Sequence, residues 1–363
     1  MNVLSLFDGM SCGRIALERA GINVDHYYSS EIDKYAIQVA DKNYPQDTDK
    51  RLGSVIDLDT DYLKTLNIDL LIGGSPCQGF SMAGKMKGSS TKCGRDVTSL
   101  EDYLDLKRIG FEFDGQSYLF WEYVRILEAI KPKYFFLENV RITKKWLPMF
   151  NKAIGVEPVM INSALVSAQN RVRYYWTNIP NLSQPEDRGV LLKDILEDGI
   201  ADIVIKGIGV PNPKSVVYKS NYVQWDINNL GHASQDQRAY YEDSKHGTLD
   251  TGASSKAKVL IVPEAAKKLI TVNEDGDVIP NVESIGQANR IYSQDSIRPC
   301  LNSGWTPNVF DKPTYRKLTP VECERLQTVP DGYTDHVSNS QRYKMLGNGW
   351  TVDVVAHIFK GLI

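Results

Sequence analysis

The sequence predicts an α/β fold: a mostly parallel sheet with its site at the carboxyl edge, plus a smaller, irregular, β-rich lobe. Three observations lead there. Short apolar runs (Val3-Leu4-Ser5-Leu6-Phe7, Leu70-Leu71-Ile72 and Tyr134-Phe135-Phe136-Leu137) end in turns that carry glycine or an acid, the pattern of strands buried on both faces. Segments of helical spacing stand between them, as the crossovers of a parallel sheet require. From residue 180 to 315 turn residues become dense and the periodicity breaks up, and after 316 it returns. A chain of 363 residues can form one large core or a main domain with a smaller lobe. The division expected is 1–180, 181–315 and 316–363.

Bulk properties narrow the class. Lys+Arg number 42 and Asp+Glu 45, a net charge of -3. Near-neutrality mildly opposes a nucleic-acid partner, although binding depends on where the cations lie rather than on their sum. The five cysteines (Cys12, Cys77, Cys93, Cys300, Cys323) are odd in number and widely spaced, with no CxxC or His/Cys cluster. Neither a disulfide framework nor a metal site is expected. No apolar run approaches the roughly 20 residues of a membrane span and no signal-peptide pattern opens the chain, so the expectation is a reduced, soluble, cytoplasmic protein.

The first strand, residues 3–7, runs into Asp8-Gly9-Met10-Ser11-Cys12-Gly13 and then a helix over 14–20. Strand, glycine turn, helix is the arrangement that lets a ligand approach the backbone, with a plain tight turn as its rival. A second strand over 26–30 leads to Glu31-Ile32-Asp33. An acid about 20 residues past the glycine turn is placed to hold ribose hydroxyls; alone it reads equally well as a solvated helix start. A third buried strand, 68–72, is stopped by Gly73-Gly74, and Ser75-Pro76 stiffens the turn that presents Cys77. Most free cysteines are small buried hydrophobes, but Pro on one side and Gln78-Gly79 on the other do not suit a core.

Residues 82–116 lack apolar periodicity until Leu100. Between Ser81 and Leu100 stand Lys85, Lys87, Lys92 and Arg95 against the single acid Asp96, which suits phosphate contacts, and 99–108 is expected to add a helical turn. Large apolar residues at helical spacing over 118–127 read as core. Glu138 follows four apolar strand residues directly, which places a carboxylate at the sheet edge beside Cys77. Strands are expected over 159–166 and 172–179, with Gln169-Asn170-Arg171-Val172-Arg173 between; on a strand Arg171 and Arg173 would share a face. Downstream, short helices are expected at 190–197 and 264–269. Arg238 to Gly252 aligns without gaps on Arg290 to Gly304, six of 15 positions matching, as two recognition strands or two hairpins of similar turn chemistry would. Thr319-Pro320-Val321-Glu322 carries a capping box with Pro in the first turn, and a last helix is expected over 352–359.

Ser75-Pro76-Cys77-Gln78-Gly79-Phe80-Ser81 resembles the nucleophile motif of the DNA cytosine-C5 methyltransferases. Phe7-Asp8-Gly9 with Glu31 resembles the cofactor motifs of that family, Glu138-Asn139-Val140 its second catalytic motif, and Gln169-x-Arg171-x-Arg173 its paired-arginine motif. Residues 316–333 and 340–352 resemble its last two motifs, the second containing Gly347-Asn348-Gly349-Trp350 and expected as a Gly-Asn turn that returns to the cofactor. The Phe-Asp-Gly and Gly-Trp variants are similar to the vertebrate de novo enzymes. The resemblance covers about 3–180 and 315–359 in family order.

That resemblance implies a Rossmann-like methyltransferase domain, with the inserted lobe as a target-recognition domain. It implies S-adenosyl-L-methionine, leaving as S-adenosyl-L-homocysteine, bound by Phe7, Asp8, Gly9, Met10, Ser11, Cys12, Gly13, Glu31, Ile32, Ser54, Val55, Pro76, Leu119, Asn348, Gly349 and Trp350. Ser54 stands where the family carries an acid that meets the adenine amino group. The catalytic set implied is Cys77, adding to cytosine carbon 6, Glu138 at ring N3, Arg173 orienting the base and Glu138, and Arg171 supporting from the phosphate side. Double-stranded DNA is the implied partner, held by Ser81, Lys85, Lys87, Arg95, Arg238, Lys245, Gln287, Arg290 and Arg298, with the enzyme a monomer that can accompany a restriction endonuclease. A tRNA cytosine methyltransferase and a silent DNA-binding homologue are the alternatives. The first usually shows Pro-Pro-Cys-Gln and lacks an extended insert, and intact Cys77, Glu138, Arg171 and Arg173 oppose the second.

Overall fold

The computed structural model describes residues 1–76, 90–198 and 318–363 in full, and between 216 and 317 the backbone of seven strands. In chain order the strands are β1 (Asn2–Leu6), β2 (His26–Ser30), β3 (Leu70–Gly73), β4 (Ser90–Thr91), β5 (Phe113–Asp114), β6 (Tyr134–Val140), β7 (Val159–Asn162) and β8 (Val172–Thr177). The later ones are β9 (Val216–Tyr218), β10 (Tyr222–Trp225), β11 (Arg238–Tyr241), β12 (Lys258–Ile261), β13 (Ile270–Val272), β14 (Val278–Pro280) and β15 (Thr314–Lys317). The α-helices are α1 (Cys12–Arg19), α2 (Lys34–Asn43), α3 (Thr60–Thr65), α4 (Leu100–Arg108), α5 (Leu119–Ile130), α6 (Leu147–Ile154), α7 (Pro320–Leu326), α8 (Asn339–Asn348) and α9 (Val352–Phe359).

The central sheet runs β2-β1-β3-β6-β8-β7. β2, β1, β3 and β6 are parallel, and β8 lies antiparallel to both β6 and β7. The chain leaves β1 for β2 on one side and returns to β3 on the other, so the order switches at the carboxyl end of β1, where open α/β sheets bind ligands. Register sharpens this. Leu6 pairs with Gly73 and Gly73 with Leu137, so Phe7, Gly74 and Glu138 emerge in one row.

Alternation along the strands divides the core. Val3, Leu70, Ile72, Phe136 and Tyr175 pack on one face with α1 and α9, whereas Leu4, Leu6, Leu71, Phe135, Leu137 and Trp176 pack on the other with α5 and α6. Helix α7 carries the capping box that its sequence predicts: Thr319 Oγ1 accepts the Glu322 N–H, and Glu322 Oε2 accepts the Thr319 N–H. Among the described helices none is long and apolar enough to cross a membrane.

Several expectations change. The strand expected over 159–166 ends at Asn162, whose side chain accepts the Ala164 N–H and turns the backbone into a 3-10 helix, Ser163–Leu165, an instance of Asn competing with the ladder. The helix expected at 190–197 is a 3-10 turn, Leu192–Ile195, which buries only those two side chains. The single turn expected at 99–108 is a full helix, α4, capped by Ser99. Around Ser54, Arg51 makes one bridge to Ser29 and a 3-10 helix then spans Val55–Asp57. The 264–269 helix and most of the aligned 238–252 and 290–304 stretches lie outside the described residues. Strands β9 to β12 and β15 form a five-stranded sheet in the order β15-β12-β11-β10-β9, and β13 pairs with β14.

Candidate active site

The loop after β1 is unusually constrained. Phe7, Gly9 and Ser11 all lie at positive φ (57°, 58° and 63°), a left-handed backbone that costs Phe and Ser energy and suits Gly. Asp8 is the pin. It is buried; its two oxygens accept the Tyr27 hydroxyl and the Ser11 hydroxyl, each at 2.6 Å. Burial raises its carboxyl above the ordinary carboxylate range, against these hydrogen bonds. Both Asp8 oxygens are therefore engaged, one from within the loop and one from β2. The side chains of Met10 and Cys12 are buried, and a Cβ on Gly349 would stand 3.0 Å from Met10 Cε and 3.2 Å from Cys12 Sγ. Burial pushes the Cys12 thiol up to about 12, so it stays protonated. Gly9 faces open space, with nothing within 4 Å of an added Cβ.

Glu31 faces this loop from the end of β2. Its Oε2 accepts the Gly9 N–H at 2.7 Å; Oε1 accepts the Ile32 and Asp33 N–H groups at 2.7 and 2.8 Å. Ile32 beside it is 72% exposed, an apolar side chain held in solvent. Ser54 caps its 3-10 turn through the Ile56 N–H at 3.4 Å, and Val55 is buried. Leu119 is half-buried at the start of α5. A glycine opening, a carboxylate with one acceptor position left on Oε2 and an exposed apolar side chain fit an adenosine-bearing group.

At the carboxyl edge, Glu138 is 8% exposed and its Oε1 lies 3.1 Å from Arg173 Nε. The antiparallel register places Val140 opposite Arg173 and Glu138 opposite Tyr175, so carboxylate and guanidinium meet diagonally on one face. A Cβ on Gly74 would come within 2.8 Å of Trp350 Nε1 and 3.2 Å of Glu138 Oε2; only glycine lets both side chains close on the strand end. Trp350 is buried edge-on to Phe136, ring centres 5.3 Å apart. Asn139, which sequence reasoning passed over, donates to the Ser75 carbonyl and hydroxyl, both at 3.3 Å. It thereby grips the turn whose Pro76 precedes Cys77.

Arg171 corrects another expectation. It precedes β8 rather than lying on it, so strand alternation does not govern its direction. Its guanidinium is buried and donates to the carbonyls of Gly347 and Gly349 at 3.3 and 3.0 Å; it does not stand on the phosphate side. Burial and repulsion from Arg173 pull it down to about 9, still charged at neutral pH. The expected Gly-Asn turn is also displaced: Asn348 is the exposed last residue of α8, and the chain turns at Gly349. Gln169 is fully buried, and neither atom of its amide has a hydrogen bond.

Of the expected DNA contacts, Arg95 is exposed but paired with Asp102. Cys77, Ser81, Lys85, Lys87, Lys245, Gln287, Arg290 and Arg298 lie outside the described residues, as does the side chain of Arg238. Cations that sequence reasoning missed follow Glu138 directly: Arg141, Lys144 and Lys145 are exposed. Lys145 lies 3.4 Å from Asp96 and over the Trp146 ring. Their signal was available in the run Arg141-Ile142-Thr143-Lys144-Lys145 after the acid-bearing strand end.

Comparison with known proteins accords with this arrangement. The family model of C-5 cytosine-specific DNA methylase matches residues 1–363. The orphan methyltransferase M.SPBetaI of Bacillus phage SPbeta is 27% identical over 435 aligned residues, covering 100% of this chain and 97% of that protein. The type II methyltransferase M.HhaI of Haemophilus parahaemolyticus is 26% identical over 381, covering 99% and 93%. Among solved structures, a Spodoptera frugiperda DNMT2 mutant superposes with a TM-score of 0.58 at 17% identity over 99% of both chains. The Entamoeba histolytica methyltransferase EhMeth does so at 0.59 and 16%, over 100% of this chain and 99% of that one. At such identities the two structures speak to the fold alone. With the parallel sheet, the glycine-turn loop and the Glu138–Arg173 edge in place, the match over the full length shows that the chain belongs to the C-5 cytosine-specific DNA methylase family.

Proposed function

We propose that the protein methylates carbon 5 of a cytosine in duplex DNA, with Cys77 as nucleophile and Glu138 and Arg173 as its partners on the base. One observation carries this reading: Gly74, three residues before Cys77, shares a row with Glu138, and Glu138 is held by Arg173. Carbon 5 of cytosine is a poor nucleophile. A thiolate that adds to carbon 6 turns the ring into an enamine that is a good one; once carbon 5 carries the methyl group, water takes the carbon-5 proton and the bond to sulfur breaks, returning the thiolate. Glu138 hydrogen-bonds ring N3, where negative charge would otherwise build, and Arg173 holds both Glu138 and the base oxygen. Arg171 acts at one remove, as a positioning residue that fixes the Gly347–Gly349 carbonyls below Trp350.

S-adenosyl-L-methionine, the donor expected of the family, supplies the methyl group. Glu31 would hold its ribose hydroxyls, Ile32 and Val55 its adenine, and the segment from Asn348 to Trp350 its amino-acid end. Because carbon 5 is inaccessible within a stacked duplex, the base must be turned out. We assign residues 181–315 to target recognition, and Arg141, Lys144 and Lys145 to backbone phosphates beside the catalytic edge.

The test uses purified protein, methyl-labelled cofactor and duplex DNA, with a second duplex carrying 5-fluorocytosine, whose fluorine cannot leave as the proton does. Label is expected on cytosine carbon 5, with a denaturation-resistant complex on the fluorinated duplex. Cys77→Ala should abolish both, and Glu138→Gln should lower kcat by about 10²–10³-fold with little change in affinity for S-adenosyl-L-homocysteine. Label on adenine, or transfer that survives Cys77→Ala, would sink the assignment.

A further inference from the structure

The segment between β4 and β5 was expected to turn its cations to DNA, yet its charges point elsewhere. Arg95 pairs with Asp102, and Lys92 with Glu112. Helix α4 lies against α5 through buried Tyr103 and Leu106, and the Tyr103 ring sits 5.1 Å from Phe113 and 6.2 Å from Tyr118. Beneath these rings is Glu122, a carboxylate with no exposed surface on an otherwise apolar stretch of α5.

Glu122 is a branch point. Its Oε1 accepts the Tyr103 hydroxyl and Lys107 Nζ, the latter at 2.6 Å, and its Oε2 accepts Arg125 Nε at 2.7 Å. A buried carboxylate so saturated is rigid, and with Lys107 removed it remains paired with Arg125 and bonded to Tyr103. Both cations then reach the same short segment. Lys107 Nζ donates to the Ile56 carbonyl at 3.1 Å; Arg125 donates to those of Leu58 and Val55, each at 3.2 Å. Three carbonyls of residues 55–58 are thus tied to one carboxylate. That segment begins at Ser54, the position assigned above to the adenine side, and its own capping bond is a long 3.4 Å. Arg125 is three residues from Glu122 on the same helix, so its grip is local. Lys107 comes from the segment between the two short strands and ties that segment to the 55–58 turn.

We propose that Lys107, fixed by Glu122, is a positioning residue for the adenine end of the cofactor site, so that the segment from 90 to 116 serves cofactor affinity rather than DNA. The proposal rests on the assignment of Ser54 and Val55 to that site. Lys107→Met keeps the aliphatic stem and removes the ammonium; Lys107→Arg keeps the charge. Calorimetric titration with S-adenosyl-L-homocysteine and with S-inosyl-L-homocysteine, which lacks the adenine amino group, reads the adenine end directly. Lys107→Met is expected to weaken the adenosyl ligand about tenfold and the inosyl ligand less, to raise KM for the donor about as much, and to leave kcat within about threefold. Duplex affinity and thermal midpoint should stay near those of the parent, and Lys107→Arg should recover most of the loss. Unchanged affinity for both ligands with weakened DNA binding would overturn it in favour of a DNA-facing segment. Equal loss for both ligands alongside a fallen midpoint would reduce Lys107 to a structural brace. A parent protein that binds neither ligand would refute the cofactor assignment itself and this proposal with it.

Discussion

Asp8 shows how a single side chain sets the shape of the loop after β1, the loop we propose for the cofactor. Three left-handed residues in five are tolerated because Tyr27 and Ser11 hold one carboxylate between them. Tyr27→Phe removes one donor and leaves a buried oxygen short of a partner, so stability should fall by about 1–3 kcal/mol in urea unfolding, with weaker S-adenosyl-L-homocysteine binding. The ionisation has its own sign. Because burial holds the Asp8 carboxyl above 3.8, the unfolded chain releases its proton first as pH rises, and folded stability declines across the window from there to the folded value. Asp8→Asn cannot ionise; its stability relative to the parent should therefore improve between pH 4 and pH 8 in paired thermal melts, and a variant that loses ground to the parent over that range would show that the carboxylate is favoured in place. Residues were legible in the sequence where one local rule governs them. Glu138 directly after an apolar strand could only emerge at the edge, and it does. The direction of Asp8 was not legible, because nothing in Phe-Asp-Gly says that the acid turns back to Tyr27, nineteen residues away on β2. Arg171 was misread because alternation applies only on a strand, and the strand starts at Val172.

The elements were legible to the extent that their ends carry their own signals. The capping box at Thr319 is visible in four residues and forms as drawn, and α7 begins at Pro320 as its first-turn proline requires. The Thr319 hydroxyl also donates to Glu197, which no local pattern could announce. Thr319→Ala should cost about 1 kcal/mol as a lost cap, and measurably more if the Glu197 contact adds to it; a loss under 0.5 kcal/mol, about the floor for such caps, would show that solvent replaces both. The ends of β3 and β6 offer the sharper functional case. Asn139 reaches from β6 to the Ser75 turn, so Asn139→Ala should loosen the presentation of Cys77 while leaving the cofactor loop alone. The expected outcome is a fall in kcat on the order of 10²-fold, the cost of about an ångström of misplacement, with unchanged affinity for S-adenosyl-L-homocysteine. Equal losses in both would mean that the clamp supports the whole edge.

At the scale of the molecule, the chain closes on itself. Its last 46 residues complete the face of the sheet that the first 44 begin, a union that motif order suggested and only three-dimensional packing explains. Tyr333 donates to the Met10 carbonyl at 2.7 Å, Lys344 to Asp33 at 2.7 Å and Asn43 to the Tyr333 carbonyl at 3.0 Å. Arg19 on α1 pairs with Asp353 on α9 at 2.7 Å. Helix α9 buries six of its eight residues, and the Phe359 ring meets Phe136 edge-on at 5.2 Å, two positions before Glu138 on the same strand face. Exposed ion pairs across this seam contribute little, typically under about 1 kcal/mol, so the apolar contacts decide. Phe359→Ala should therefore cost about 3–5 kcal/mol, against about 0–1 for Arg19→Ala. Glu138 and the cofactor loop are not touched by the change, so the fraction that stays folded should retain the parental kcat. Measuring active-site concentration with the fluorinated duplex alongside turnover separates the two effects. A normal midpoint for Phe359→Ala would show that the C-terminal helix is an appendage, and a lowered kcat per active site would show that packing at Phe136 is transmitted along β6 to Glu138.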